Sequence, residues 1–289
     1  FAMTVVMNMS IRLGAEIILL PRFDLDELMT TTHRLKPTMF AAVPTIYTAI
    51  IHHPNLGKFD LTSIRRCLSG GAPLPVEVKA QFEKLTGCSL VEGYGLSESS
   101  PVATCNPLNG VNKAGSIGLP LPGTRISIRS LDDATVEVAQ GERGEVCIHG
   151  PQVMKGYWKH EDETAKVMLP DGWLRTGDVG IMDKDGYIAI VDRIKDMILC
   201  SGYNVYPRNV EEAIYLHPAV AEVVVLGLPD EYRGQTVKAF IKLKDGQTLT
   251  ADALELFLKN KLSAIERPKL VEFRSELPKT MVGKLSRKT

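Results

Sequence analysis

The sequence predicts an α/β protein: a partial large domain, made of a parallel α/β sheet unit and a small β-barrel-like subdomain, followed by a small α+β C-terminal domain. Three observations predict it. Residues 1–113 alternate helical and apolar strand-like segments, the pattern of a parallel sheet with crossover helices. Residues 114–194 change to short β segments broken by Gly and Asp turns. Residues 195–289 read helix, strand, strand, helix, strand.

In order along the chain, a helix over 4–13 leads to a buried strand over 16–20. A helix over 24–35, a strand over 39–43 and a helix over 44–52 follow. A short strand over 65–68 enters Ser69-Gly70-Gly71-Ala72-Pro73, and a helix over 75–85 places Val78, Phe82 and Leu85 on one face. The chain returns to the sheet over 89–92. Strands over 125–129, 144–149, 179–182 and 187–191 build the second part, and Asp183-Lys184-Asp185-Gly186 makes a hairpin of the last two. A helix over 207–216, strands over 221–228 and 236–243, a helix over 251–262 and a strand over 269–273 complete the third.

Composition excludes several classes. Among 289 residues, Lys plus Arg number 34 and Asp plus Glu 34, a balance that disfavours both a nucleic-acid binder and a disordered acidic chain. The five cysteines stand singly, without CxxC or paired Cys/His spacing. No disulfide framework or zinc site is expected, each thiol is read as a small core hydrophobe, and a reducing, cytoplasmic location follows. The apolar opening stretch is broken by Arg12 and Glu16, so it reads neither as a signal peptide nor as a membrane span. Phe1 inside that stretch suggests a piece of a longer protein.

Taken singly, the motifs leave alternatives open. Ser69-Gly70-Gly71-Ala72-Pro73 is either a tight strand-to-helix turn or a set of backbone N–H groups facing an anion or nucleotide edge. Gly93-Tyr94-Gly95-Leu96-Ser97-Glu98 begins like a dinucleotide fingerprint but has Glu98 where the third glycine belongs. A hydroxyl followed by a carboxylate there suits phosphate and magnesium, which prefers hard oxygen ligands, or simply begins a helix. Asp178, after Trp173-Leu174-Arg175-Thr176-Gly177, is a turn residue or a chelator of two ribose hydroxyls. Asp192-Arg193-Ile194-Lys195-Asp196 reads as a surface connector whose salt bridges have little net value. Ser201-Gly202-Tyr203-Asn204-Val205-Tyr206-Pro207 reads as a loop entering a helix. The basic tail over 278–288 reads as solvated and frayed. No Ser/His/Asp set, G-x-S-x-G, Walker loop or metal-ligand His spacing accompanies them.

The order of these motifs, ending in Pro278-Lys279-Thr280-Met281-Val282-Gly283-Lys284, resembles the adenylate-forming (AMP-binding) superfamily, and within it the acyl-CoA synthetases of the fatty-acid–CoA ligase type. The resemblance runs over essentially the whole chain but only the C-terminal half of a family member. It implies that a carboxylic acid attacks the α-phosphorus of ATP, giving an acyl-adenylate, and that coenzyme A then displaces AMP. Small-molecule acid, ATP, Mg2+ and coenzyme A are the implied partners, while homo-oligomer formation stays open. By resemblance, Lys284 is the catalytic cation between carboxylate and α-phosphate, Glu98 the magnesium ligand and Ser97 a phosphate contact. Gly71, Ala72 and Pro73 would run along the adenine, and Glu92, Gly93, Tyr94 and Gly95 would complete the nucleotide site, with Tyr94 stacked on the purine. Asp178 and Arg193 would hold the ribose, Lys195 would be the hinge, and Ser201, Gly202 and Tyr203 would line the coenzyme A channel. Aryl-CoA ligases and other adenylating enzymes share these motifs, and a non-catalytic truncated binding chain is the rival of another class. The family's Ser/Thr/Gly-rich phosphate loop does not occur here, so the chain alone is expected to be inactive or nearly so.

Overall fold

The structure, a computed structural model, describes residues 1–278 and 285–287. It divides into a large unit, residues 1–176 with 180–190, and a small unit, residues 177–179 with 191–289.

In the large unit a π-helical stretch, Ala2–Asn8, runs into α1 (Met9–Leu13). Then come α2 (Leu25–Leu35), β1 (Met39–Ala42), α3 (Pro44–Ile51), β2 (Arg66–Ser69), α4 (Val76–Thr86), β3 (Ser89–Tyr94), β4 (Thr104–Cys105) and β5 (Leu119–Pro120). Local chemistry sets the helix starts: Asp24 accepts a 2.8 Å bond from the Glu27 N–H, and Pro44 stands in the first turn of α3. The sheet order is β1-β2-β3-β4-β5. β1, β2 and β3 are mutually parallel, with Ala42 opposite Ser69 and Ser69 opposite Glu92, and β4 then pairs antiparallel with the end of β3. Met29, Tyr47, Phe82 and Leu90 fill the core beneath α2, α3 and α4. The Tyr47 and Phe82 rings meet edge-on at 4.8 Å, and the Tyr47 hydroxyl donates to the Leu68 carbonyl at 3.0 Å.

The second sheet comprises β6 (Arg125–Arg129), β7 (Gly144–His149), β8 (Leu174–Met182) and β9 (Ile188–Arg193), with α5 (Glu161–Val167) between β7 and β8. Its order, β6-β7-β8-β9, is open, so the expected barrel-like subdomain is instead a sheet with two edges. The expected hairpin at residues 183–186 is present: the Asp183 N–H donates to the Tyr187 carbonyl at 2.9 Å.

The small unit holds β10 (Ile198–Cys200), β11 (Tyr203–Val205), α6 (Pro207–Tyr215), β12 (Val220–Asp230), β13 (Gly234–Leu243), α7 (Ala251–Leu258) and β14 (Leu270–Phe273). Its sheet runs β11-β10-β13-β12, with β14 parallel to β13. Alternation along β12 separates two apolar faces. Val223 and Val225 pack with Val210 and Ile214 of α6 and Leu254 and Leu258 of α7. Val224, with Phe240, packs instead against Leu277 and Leu285.

Two expectations fail locally. Residues 15–20 form no strand, and Leu19 is 81% exposed; an apolar run cannot specify a strand without a neighbouring ladder, and β1 ends the sheet with β2 as its partner. The loop expected over 201–207 contains β11, because Ser201 (φ 52°) and Gly202 (φ 79°) make a two-residue turn that pairs Cys200 with Tyr203. All five cysteines are free, four are buried and Cys105 is half-buried, as small core hydrophobes should be. No helix among the described residues is long and apolar enough to cross a membrane. Met3, Met7, Ile11, Leu13, Leu19 and Phe23 lie exposed on the first segment of the large unit.

Phe82→Ala should cost about 3–5 kcal/mol in chemical denaturation of the large unit, because the ring is fully buried. Val76→Ala, at an exposed position on the same helix, should stay within about 0.5 kcal/mol.

Candidate nucleotide and carboxylate sites

The parallel register of β2 and β3 brings two turns to one edge of the sheet: β2 ends at Ser69, opposite Glu92, and β3 runs two residues further to Tyr94. The edge beyond the carboxyl ends of parallel strands is where open α/β sheets place ligands. From β2 the chain enters Gly70-Gly71-Ala72-Pro73, with the Gly70 N–H donating to the Ala42 carbonyl at 3.3 Å. From β3 it enters Tyr94-Gly95-Leu96-Ser97-Glu98. Glu92, 8% exposed, ties the two: its Oε1 accepts the Leu74 N–H at 3.2 Å. Burial and the Glu92 charge push the neighbouring Cys105 thiol up to about 11.

Gly95 is fixed by a close approach. An ideal Cβ there would stand 1.7 Å from the Pro101 carbonyl oxygen, so no side chain can be accommodated without moving the return to β4. Tyr94 packs part of its surface against Ile117, Ile128, Val146 and Ile188 and keeps a half-exposed remainder. Ser97 to Ser99 form a 3-10 turn, in which the Ser99 Oγ accepts the Leu96 N–H at 2.9 Å. Ser97 is exposed and Glu98 half-buried. Glu98 is held twice: its backbone carbonyl accepts the Met154 N–H at 2.8 Å, and its Oε1 accepts the Tyr157 hydroxyl at 2.8 Å. That bond, with burial and the carboxylate charge, raises the Tyr157 pKa above its ordinary value.

Glu98 fits a magnesium ion in a specific way. Magnesium is usually held by one or two carboxylates with substrate phosphates and waters, rather than by an all-protein cage. Among the described residues no partner engages the second Glu98 oxygen, and no group of three or more His, Cys, Asp or Glu could hold a metal unaided.

The remaining expected residues lie in the small unit. Asp178, 3% exposed, accepts the Arg193 Nε at 3.1 Å, which brings together the two side chains assigned to the ribose. Lys195 is exposed on a 3-10 turn, Ile194–Asp196. In the Ser201-Gly202 turn, nothing lies within 4 Å of where a Gly202 Cβ would stand, and Tyr203 is 63% exposed. Lys284 lies outside the described residues.

Sequence reasoning missed a charge cluster in the small unit. Arg287 donates to Asp196 at 2.9 Å and to both Glu211 oxygens at 2.9 and 2.8 Å, with Asp192 3.8 Å away. Asp192, 3% exposed, accepts the Arg193 N–H and, at the first turn of α6, the Arg208 N–H, each at 2.7 Å. Burial pushes both the Asp192 and Glu211 carboxyls above their usual range, while the surrounding carboxylates outweigh the effect of burial on Arg287 and raise it. The run over 192–196 is thus a partly buried ionic centre rather than a surface connector. The described part of the tail is anchored: Leu285 packs on Val224 and Phe240, and the Ser286 N–H donates to the Pro278 carbonyl at 2.8 Å. Asp192 near the end of a strand and Arg287 within the basic tail were the only sequence signals, and neither gives the pairing.

The sequence profile of AMP-binding enzymes matches residues 1–158, and that of the AMP-binding enzyme C-terminal domain matches residues 209–284. The chain belongs to the AMP-binding enzyme family. Among its relatives, the long-chain-fatty-acid–CoA ligase of Bacillus subtilis (strain 168) is 54% identical over 288 residues, covering 100% of this chain and 51% of the relative. The ligase of the same name from Escherichia coli O157:H7 is 41% identical over 290 residues, with the same coverage of each. The ATP-bound structure of MatB from Rhodopseudomonas palustris superimposes with a TM-score of 0.92 at 32% identity, over 98% of this chain and 56% of that one. The chain spans about half the length of the curated relatives it matches.

In this member of the AMP-binding enzyme family, Arg287→Ala should destabilise the small unit by roughly 3 kcal/mol, because Glu211 and Asp192 would be left without their cation. Chemical denaturation followed by circular dichroism checks it. The two carboxyls hold protons more tightly folded than unfolded, so their contribution is full below the ordinary carboxylate range and declines as pH climbs through the raised folded values. Glu211→Gln should flatten that decline in a pH series of unfolding midpoints.

Proposed function

We propose that the chain supplies the nucleotide and thioester machinery of an ATP-dependent long-chain fatty-acid–CoA ligase of the cytoplasm. The observation that carries the reading is the edge formed by β2 and β3. There a glycine turn, a half-exposed Tyr94 and a carboxylate with one unengaged oxygen leave the sheet together. The 54% identity to a long-chain-fatty-acid–CoA ligase supports the acid class and the thiol acceptor.

In the first step the acid's carboxylate oxygen attacks the α-phosphorus of ATP, and the bond to the β-phosphate bridge breaks with release of pyrophosphate. In the second, the sulfur of coenzyme A attacks the acyl carbonyl and AMP leaves, giving the acyl thioester. Gly71, Ala72, Pro73, Gly93 and Gly95 present backbone to the adenine with Tyr94 beside it, Glu92 holds the turn, and Ser97 offers a hydroxyl to phosphate. Asp178 accepts ribose hydroxyls with Arg193 beside it. Bound magnesium neutralises charge developing on the phosphates, and Glu98 is the residue to hold it. Lys284 brings a cation to the acid's carboxylate and the α-phosphate, and such preorganised charge is usually the largest catalytic contribution.

The working domains are 1–113 and 114–194 as parts of one large domain, with 195–289 turning about Lys195. After adenylation that turn carries Ser201, Gly202 and Tyr203 to the coenzyme A channel, where the open space beside Gly202 suits a thin pantetheine arm.

The test joins this chain to the upstream half of the Bacillus subtilis relative and measures pyrophosphate release with ATP and long-chain acids, then thioester formation with coenzyme A. Lys284→Ala should lower adenylation by about 10²–10³-fold, the scale of removing one preorganised donor. Thioester formation from preformed acyl-adenylate should persist. Unchanged adenylation in that variant would refute the role given to Lys284, and turnover with aryl acids alone would refute the acid class.

A further inference from the structure

Beyond the motifs, one side chain reaches into the site from 59 residues away in sequence. The segment over 150–158 crosses the Ser97–Ser99 turn and is pinned along its length. Gln152 Nε2 donates to the Thr124 hydroxyl at 2.7 Å and to the Val102 carbonyl at 3.3 Å. The Met154 N–H donates to the Glu98 carbonyl at 2.8 Å, and the Tyr157 N–H donates to the Thr164 hydroxyl at 2.9 Å. Gly156 lets the chain pass this close: an ideal Cβ there would lie 2.9 Å from Thr164 Cγ2. With its backbone held, Tyr157 sends its hydroxyl to Glu98 Oε1.

We propose that Tyr157 is a positioning residue for Glu98, filling one carboxylate oxygen so that the other alone meets a divalent cation. The chemistry favours a phenol for this task. A lysine at this place would neutralise the carboxylate and weaken its hold on a cation. A phenol donates one hydrogen bond and leaves the negative charge intact. Among the described residues no Lys or Arg pairs with Glu98, so the tyrosine is its one side-chain partner there. The arrangement matches the general use of outer partners to orient a metal-bearing carboxylate. The neighbouring Trp158, 83% exposed, takes no part in it.

This inference rests on the magnesium reading of Glu98, and the experiment separates the two. In the joined enzyme described above, Mn2+ binding in the presence of ATP is titrated by electron paramagnetic resonance for the parent, Tyr157→Phe and Glu98→Gln. The Mg2+ concentration for half-maximal adenylation is measured alongside. Tyr157→Phe should weaken Mn2+ binding about 10-fold, the lower end of what outer partners contribute to metal affinity. The half-saturating Mg2+ should rise in parallel, while the KM for the acid and the unfolding midpoint stay at parental values. If Glu98→Gln weakens Mn2+ binding and Tyr157→Phe does not, the positioning role is overturned and the magnesium reading stands. If neither variant weakens it, the magnesium reading falls and takes this inference with it. A Tyr157→Phe effect that appears only together with a lowered unfolding midpoint makes Tyr157 a structural staple and also overturns the proposal.

Discussion

The parallel pairing of β2 with β3 governs the large unit. Setting Ser69 opposite Glu92 fixes the end of β2 two residues short of the end of β3, and the later features of the site inherit that stagger. The glycine turn leaves at Gly70, and the Tyr94 to Glu98 turn leaves two residues beyond Glu92. The buried Glu92 carboxylate spans them by taking the Leu74 N–H. Register in a sheet covered by helices is strongly specified, because a one-residue slip would turn Cys67 and Leu90 out of the core and polar neighbours into it. A site built on such a register needs little help from its loops to be placed. Its loops need only be prevented from closing over the edge, and the contact between Gly95 and the Pro101 carbonyl draws the chain back to β4.

In the small unit the equivalent role falls to a set of charges. Asp192 accepts the first turn of α6 and faces Arg287, which also grips Glu211 and Asp196. Four partly buried charges in one place are costly unless each is met by the others and by backbone donors. Here they are: Glu211 also takes the Val225 N–H, so helix, strand and tail share one electrostatic centre. The described residues 285–287 are thereby held by an apolar contact at Leu285 and an ionic one at Arg287.

Much of this was legible in the sequence where local chemistry and periodicity agree. The helix α2, Pro44 and Pro207 at helix starts, and the Val78, Phe82 and Leu85 face announced themselves, as did the Asp183 to Gly186 hairpin. What stayed hidden depends on long-range pairing. Residues 15–20 have the composition of a strand but no ladder, and Tyr203 to Val205 form one only because a two-residue turn folds them onto β10. Asp178 and Arg193, which the ordered motifs single out separately, form an ion pair because one lies on β8 and the other at the end of β9. Nothing in the spacing of Arg287 and Glu211, or of Tyr157 and Glu98, announces that they touch. Such contacts across 76 and 59 residues are a property of the packed molecule.

The exposed side chains of Met3, Met7, Ile11, Leu13, Leu19 and Phe23 bear on how the chain behaves as a material. Apolar groups gathered in one short stretch are poorly hydrated, and patches of this kind drive proteins together at high concentration. Two of the six are thioethers, so mild peroxide would convert Met3 and Met7, with the likewise exposed Met39 of β1, to polar sulfoxides at the surface without touching Met29 in the core. Polar replacement of these six side chains would therefore change how readily copies of the chain associate while altering only its first segment, at a distance in sequence from every residue assigned to nucleotide or thiol.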